Sequence, residues 1–310
     1  MNEAAVAPVP EAAMRAILIA PAPHLPFLEP RIAHPPGLMP LDPAAWLRTD
    51  ADFAEQMAAR DALIAARPAV VLALEKAGEA AAAELLDVVV AATGALPGYR
   101  VEGGAVRRPD GVTVPLDPSE PMRTIGRLTA YDFCILLPDP ESGEYRLAGA
   151  ALCFPARWSL AEKMGRPLTA IHAPVPDYDE TLARRVNRVF QAIRPERRLW
   201  RINWLVYGDP VLHQPLLRER DEMPNSGKTW SPGGPFYLRT ERQTLRRLPE
   251  TGAVVFGIKS SVTPVGALAP AEAAGLSAAL GGLDDTAVAY RIGLDANRAI
   301  RARLDAIAAG

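Results

Sequence analysis

Cysteine is almost absent from this chain: Cys134 and Cys153 are the only two in 310 residues. That excludes a disulfide framework and a thiolate cluster for a metal. If the two strands around them pair as a hairpin, Cys134 faces about residues 146–149, short of Cys153. The pair therefore reads as two small buried hydrophobes rather than a disulfide. Histidine is also scarce, with His24, His34, His172 and His213 the whole supply. No window approaches the ~18 apolar residues of a membrane span. The first residues lack both the basic start and the ~7–15-residue apolar core of a secretory signal. The expectation is a soluble, cytoplasmic protein. Charge of either sign is not in excess, with Lys+Arg 34 against Asp+Glu 36. The overall balance gives no electrostatic reason to expect nucleic acid or an anionic membrane as partner. Glycine-rich nucleotide fingerprints and the GxSxG elbow are missing too. Ser226-Gly227-Lys228-Thr229 matches only the tail of a P-loop, so nothing indicates that this chain binds a nucleotide by itself.

About half of the residues, 49%, are hydrophobic, enough for a sizeable core. Residues 1–41 are proline-rich and aperiodic and read as an ordered arm laid over the surface. Asp42 before Pro43 offers a helix N-cap with proline at the first helical position. Residues 42–127 then read as a helical region, with helices over about 50–66 and 68–93 and a hairpin turn at Asp110-Gly111. Residues 128–265 carry strands at about 131–137, 145–154, 199–207, 236–246 and 253–262. Two short helices fall between the second and third strands, one opened by the capping-box pattern Ser159-x-x-Glu162 and the other by Asp179. Residues 266–310 form a helical tail over about 270–280 and 284–309. Five strands, consecutive antiparallel pairs and inserted helices make an α+β plan. Loops 166–178 and 208–234 are long for plain connections, which suggests that they build a site.

The stretch 152–207 holds most of the distinctive chemistry. His172 lies in Ile171-His172-Ala173-Pro174-Val175-Pro176, where the two prolines stiffen the backbone. A restrained imidazole serves either as a satisfied structural group or as a metal or haem ligand. His24 and His34 lie near prolines in the arm and read as surface residues. Residues 199–207 alternate, with Trp200, Ile202, Trp204 and Val206 on one face and Arg201, Asn203 and Leu205 on the other. By the same parity Arg242 and Arg246 point together, while Arg239 and Glu241 point to the opposite face. These arginines read either as a solvated face or as clamps for carboxylates. Glu241 is a partner for them or a carboxylate for a cationic substrate. Arg157-Trp158 and Asn203-Trp204 are core aromatics with polar neighbours, or pocket walls.

Taken in order, Gly37-Leu38-Met39-Pro40-Leu41 with Trp46, Tyr131-Asp132-Phe133-Cys134, Cys153-Phe154-Pro155-Ala156-Arg157-Trp158, Glu162-Lys163-Met164-Gly165-Arg166-Pro167-Leu168, the His172 segment, Arg201-Ile202-Asn203-Trp204 and Glu241-Arg242-Gln243-Thr244-Leu245-Arg246-Arg247-Leu248-Pro249 form one pattern. It spans about residues 37–262 and resembles the haem-dependent oxidative N-demethylases, the haem subunit of dimethylamine monooxygenase. The resemblance implies a PAS-like, antiparallel five-stranded sheet holding haem b. It carries the axial role to His172, with His213 as rival, and makes Arg157, Arg201, Arg242 and Arg246 candidates for the haem carboxylates. Glu241 and Asn203 become candidates for the substrate ammonium. The implied reaction uses O2 to convert a secondary methylamine to a primary amine and formaldehyde. Electrons would come from a separate reductase subunit carrying flavin, an iron–sulfur cluster and NADPH. Tyr131 departs from the family pattern, which has an acidic residue before Asp132. Two other readings remain open, a haem-binding PAS-type sensor without turnover and a scaffold without cofactor.

Overall fold

The computed structural model describes residues 7–32, 37–173, 180–215 and 233–310. His34, prolines 174 and 176, Asp179 and the Ser226–Thr229 stretch lie outside the described residues. In chain order the N-terminal part holds α1 (Glu11–Met14), β1 (Met39–Leu41), α2 (Phe53–Ala66), the single turn α3 (Pro68–Val71), β2 (Leu72–Leu74) and α4 (Glu79–Gly94). A small ribbon follows, β3 (Arg100–Glu102), β4 (Ala105–Arg107) and β5 (Thr113–Pro115), and then α5 (Pro121–Leu128). The central part runs β6 (Asp132–Pro138), β7 (Tyr145–Ala151), α6 (Leu160–Lys163), α7 (Leu168–His172), α8 (Glu180–Ala192), β8 (Arg198–Tyr207), β9 (Tyr237–Arg247) and β10 (Val254–Pro264). Helices α9 (Pro270–Gly281), α10 (Asp285–Arg291) and α11 (Leu294–Ala309) close the chain. Among the described residues no helix is long and apolar enough to cross a membrane.

The protein is α+β, built on a large antiparallel sheet. That sheet has seven strands rather than five, in the order β1-β8-β9-β10-β6-β7-β2. The five strands legible in the sequence sit contiguously at its centre. The two additions are three-residue edge strands, too short to display a period of two. β2 also corrects the expected helix over 68–93, which is split into α3, β2 and α4. Leu72, Ala73 and Leu74 pair with Ala151, Ala150 and Gly149. Leucines spaced two apart satisfy a strand as well as a helix, and pairing to β7 decides between them. The tail helix expected over 284–309 breaks at Gly293, whose φ of 91° is open to glycine at little cost. Asp42 does cap the turn after it, accepting the Ala44 N–H at 2.9 Å, but a 3-10 turn follows rather than an α-helix. Ser159 opens α6 without a side-chain capping bond.

The two faces of the sheet are covered largely by different helices, with α2 reaching both. Tyr131, Phe133, Ile135 and Val255 meet Trp46, Phe53, Met57 and Leu85, so α2, α4 and the turn at Trp46 cover one face. Trp204, Val206 and Leu238 continue that face under Leu276, Ile300 and Leu304 of α9 and α11. On the other face Leu136, Leu245 and Val254 pack with Leu168, Phe190 and Ile193 of α7, α8 and the turn after it. Cys134, Leu147 and Ala150 pack there with Leu160, beside Ile171. Both cysteines are free and buried, and Cys134 pairs across to Ala150, just past the expected stretch. A register shift between Ile135 and Leu136 accounts for the difference.

Candidate functional site

The face under α6, α7 and α8 collects most of the candidate residues. Parity puts Arg201, Asn203, Leu205 and Tyr207 of β8 on it, paired with Gln243, Glu241, Arg239 and Tyr237 of β9. The row continues through Ile258, Ser260 and Val262 of β10. His172 approaches from the last residue of α7. Its Nδ1 lies 2.9 Å from the Leu168 carbonyl oxygen. A carbonyl only accepts, so Nδ1 carries the hydrogen and Nε2 keeps the lone pair. Burial pulls the His172 pKa below its usual range, offset in part by the Leu168 bond, and the Arg201 charge lowers it further. The ring is therefore neutral near pH 7, as a metal-binding imidazole must be.

Glu241 is buried in the middle of this face. Its carboxylate accepts from Asn203 Nδ2 at 3.3 Å and from Gln243 Nε2 at 3.1 Å. Arg239 Nε stands 3.4 Å from its other oxygen. Arg239 is in turn clamped to the Leu212 and Phe154 carbonyls and to Ser260 Oγ. Glu241 is thus an oriented anion with its charge compensated by one fixed cation. A carboxylate has about four lone-pair sites, so the two side-chain donors on Oε2 leave room for a further donor. At the far end of the row, Arg157 stacks its guanidinium 4.2 Å from the Tyr207 ring centroid. Its backbone adopts φ 61°, a left-handed conformation that costs a non-glycine residue about 1–3 kcal/mol. The Arg157 N–H donates to Gln214 O at 2.8 Å, which helps to hold it there.

Arg242 and Arg246 do not join this group. They occupy even positions on β9 and point to the opposite face, which corrects their assignment to one site with His172. Arg242 donates to the Ala45 and Trp46 carbonyls and, at 2.8 Å, to the Tyr131 hydroxyl. Arg246 lies 4.2 Å over the Trp46 ring, and burial followed by the charge of Arg198 pulls its pKa down to about 10. These two arginines bind the Trp46 turn to the sheet. Tyr131 belongs to that same packing, away from the His172 face.

Two other histidines are described. His213 is buried, its Nδ1 is 2.7 Å from Cys153 O, and its Nε2 has no hydrogen-bond partner among the described residues. Burial depresses its pKa as well. It also stands at the His172 face, beyond Arg239, and remains a chemically competent rival. His24 instead sits 6.1 Å from the Trp200 ring on the opposite face, so the arm residue expected at the surface is mostly buried. Burial, then the charges of Arg48 and Arg242, lower its pKa from 6.5 to about 4. Here the unfolded chain binds the proton more tightly, so stability is present above about pH 6.5 and falls as the pH drops toward 4. A tenfold change in proton affinity is worth about 1.4 kcal/mol, and solvent reaching the ring reduces it, leaving about 1–2 kcal/mol. His24→Gln is expected to shrink by that amount the loss of stability between neutral and acidic pH, read from urea midpoints.

The sequence pattern missed Gln243 and Arg239 as partners that orient Glu241; the alternation of β9 was the available signal. It also gave no sign of the buried pair Arg60–Asp132, whose atoms are 2.6 Å apart. Asp132 accepts the Cys153 and Phe154 N–H groups at 2.7 and 2.9 Å and so fixes the chain entering the Arg157 segment. Among the described residues no group of three or more His, Cys, Asp or Glu side chains is placed to hold a bare metal ion. The face does offer a neutral imidazole, two arginines and the apolar wall around Leu168, Ile171 and Phe256. That donor set fits haem, which needs an axial nitrogen, cations for its carboxylates and apolar surroundings. A protein-family model described as haem-dependent oxidative N-demethylase, alpha subunit-like, matches residues 37–300.

Proposed function

Because the chain belongs to the haem-dependent oxidative N-demethylase, alpha subunit-like family, we propose that it is the haem-bearing subunit of an oxidative N-demethylase for a small secondary methylamine. The observation that carries the residue-level reading is the His172 tautomer at the edge of the Arg201–Glu241 face, with Nδ1–H held by Leu168 O, which makes Nε2 the nitrogen proposed for iron. Arg201 and Arg157 are the cations proposed for the carboxylates of haem b, since Arg242 and Arg246 point to the opposite face and hold the Trp46 turn. The PAS-like reading is supported by five contiguous antiparallel strands with helices inserted between the second and third.

Haem, when bound, supplies dioxygen activation with electrons delivered from outside. The balanced reaction takes a dimethylamine-like substrate, O2, two electrons and two protons to a primary amine, formaldehyde and water. Glu241 accepts an N–H of the substrate ammonium at Oε1 or Oε2, held in place by Arg239, Asn203 and Gln243. Asn203, through its carboxamide oxygen, is the second proposed contact to the amine. The apolar wall excludes water from the methyl group. Electrons come from a partner reductase subunit with flavin, an iron–sulfur cluster and NADPH, in keeping with an alpha subunit and a cytoplasmic location.

The purified protein is expected to show a Soret band. With dimethylamine, O2 and an electron donor it is expected to release formaldehyde in equal amount to methylamine. A Soret band without formaldehyde would favour the sensor reading. Failure to take up haem on reconstitution would remove both.

A further inference from the structure

Residues 180–198 hold six arginines against two glutamates, in a chain whose net charge is -2. The inner side of α8 and the turn after it, with Val186, Val189, Phe190 and Ile193, packs on the sheet face that carries His172. The outer side exposes Arg185 and Arg188, and the turn exposes Arg194 and Arg197. Arg185 and Arg188 are three residues apart on the helix, a spacing at which like charges repel. Arg194 and Arg197 face one another across an isolated antiparallel bridge, where directly opposed like charges are also unfavourable. Among the described residues none of these four has an ion-pair partner. Meanwhile Arg247 anchors the end of the helix, donating from Nε to Ile193 O at 2.7 Å and from Nη2 to Phe190 O at 2.7 Å. The end of the helix that carries the basic surface is therefore tied to the sheet.

We infer that the outer face of α8 and the 194–197 turn is the docking surface for the acidic face of an electron-donating iron–sulfur protein. The inference rests on the proposed function for the need of such a partner, and on the uncompensated charge for its place. An acidic surface relieves the arginine repulsion and steers association electrostatically. It also leaves only the thickness of α8, about one helix diameter, ~10 Å, between the docked surface and the His172 face.

The test measures association of the full chain with a plant-type [2Fe–2S] ferredoxin, an acidic iron–sulfur probe, by biolayer interferometry at low and high salt. Binding is read without reference to haem content or turnover, so it succeeds or fails independently of the demethylase reading. The wild type is expected to bind at low salt and to weaken as salt rises. Arg185→Glu with Arg188→Glu, and separately Arg194→Glu with Arg197→Glu, are expected to slow association about tenfold or more. Arg100→Glu with Arg107→Glu, on the exposed ribbon β3–β4, serves as a charge-matched control and is expected to change little. Circular dichroism of each variant confirms folding. Absence of salt-sensitive binding, or equal loss in the control, overturns the inference. So does equal or tighter binding of short duplex DNA or phosphatidylserine vesicles through the same arginines, which would mark a general polyanion surface.

Discussion

His172→Ala is expected to fold normally and to lose the Soret band of the wild-type protein, or to show it shifted and much weakened. The two effects separate because His172 ends a short helix rather than filling the core of the sheet. It is only half-buried at the end of a five-residue helix, and its described bond to Leu168 O is worth about 1 kcal/mol. An axial nitrogen, in contrast, has no substitute in alanine, whereas even partners that merely orient a ligand change metal affinity about 10–100-fold. Added imidazole is expected to restore part of the band by occupying the vacated position. His213→Ala is the companion variant and is expected to keep the band. A spectrum unchanged in His172→Ala and lost in His213→Ala would move the iron to His213, whose buried Nε2 has no hydrogen-bond partner among the described residues.

Asp132→Ala is expected to carry the largest stability cost of any single change considered for this chain. Arg60 is fully buried and its only ion-pair partner among the described residues is Asp132, at 2.6 Å. Its folded pKa is raised above the usual guanidinium value: burial lowers it, and the Asp132 carboxylate, through its charge and its hydrogen bond, outweighs that. Removing one partner of a buried pair leaves an uncompensated charge and costs about 3–5 kcal/mol. The Cys153 and Phe154 N–H groups lose their acceptor as well. A urea midpoint that falls by an amount matching several kcal/mol, at unchanged slope, checks the prediction. A shift below about 1 kcal/mol would show that water or a rearranged carbonyl takes the place of the carboxylate. Asp132→Asn is expected to fall between, since the amide oxygen still accepts from one backbone N–H.

Much of the fold was legible. Strands 131–137, 145–154, 199–207, 236–246 and 253–262 announce themselves by alternation and by the turns between them, and all five appear at the centre of the sheet. Edge strands β1 and β2 stayed hidden because three residues display no period, and Leu72-Ala73-Leu74 suited a helix equally well. Helix ends at single residues, such as Gly293, were blurred by apolar positions that continue across the break.

The site divides in the same way. Strand parity by itself determined that Arg242 and Arg246 point together and that Arg239 and Glu241 point the other way. It likewise separated Arg201 and Asn203 from Trp200 and Trp204. The motif pattern determined the family and drew attention to His172. Only the tertiary structure decided which set faces His172, because that depends on which helices cover each face of the sheet. Helices α6, α7 and α8 pack on the odd side of β8 and β9, while the Trp46 turn, α2 and α4 pack on the even side. Periodicity along one strand carries no information about partners remote in sequence; long-range pairing and burial supply it, and here they placed Arg201 near the imidazole and left Arg242 bound to Tyr131.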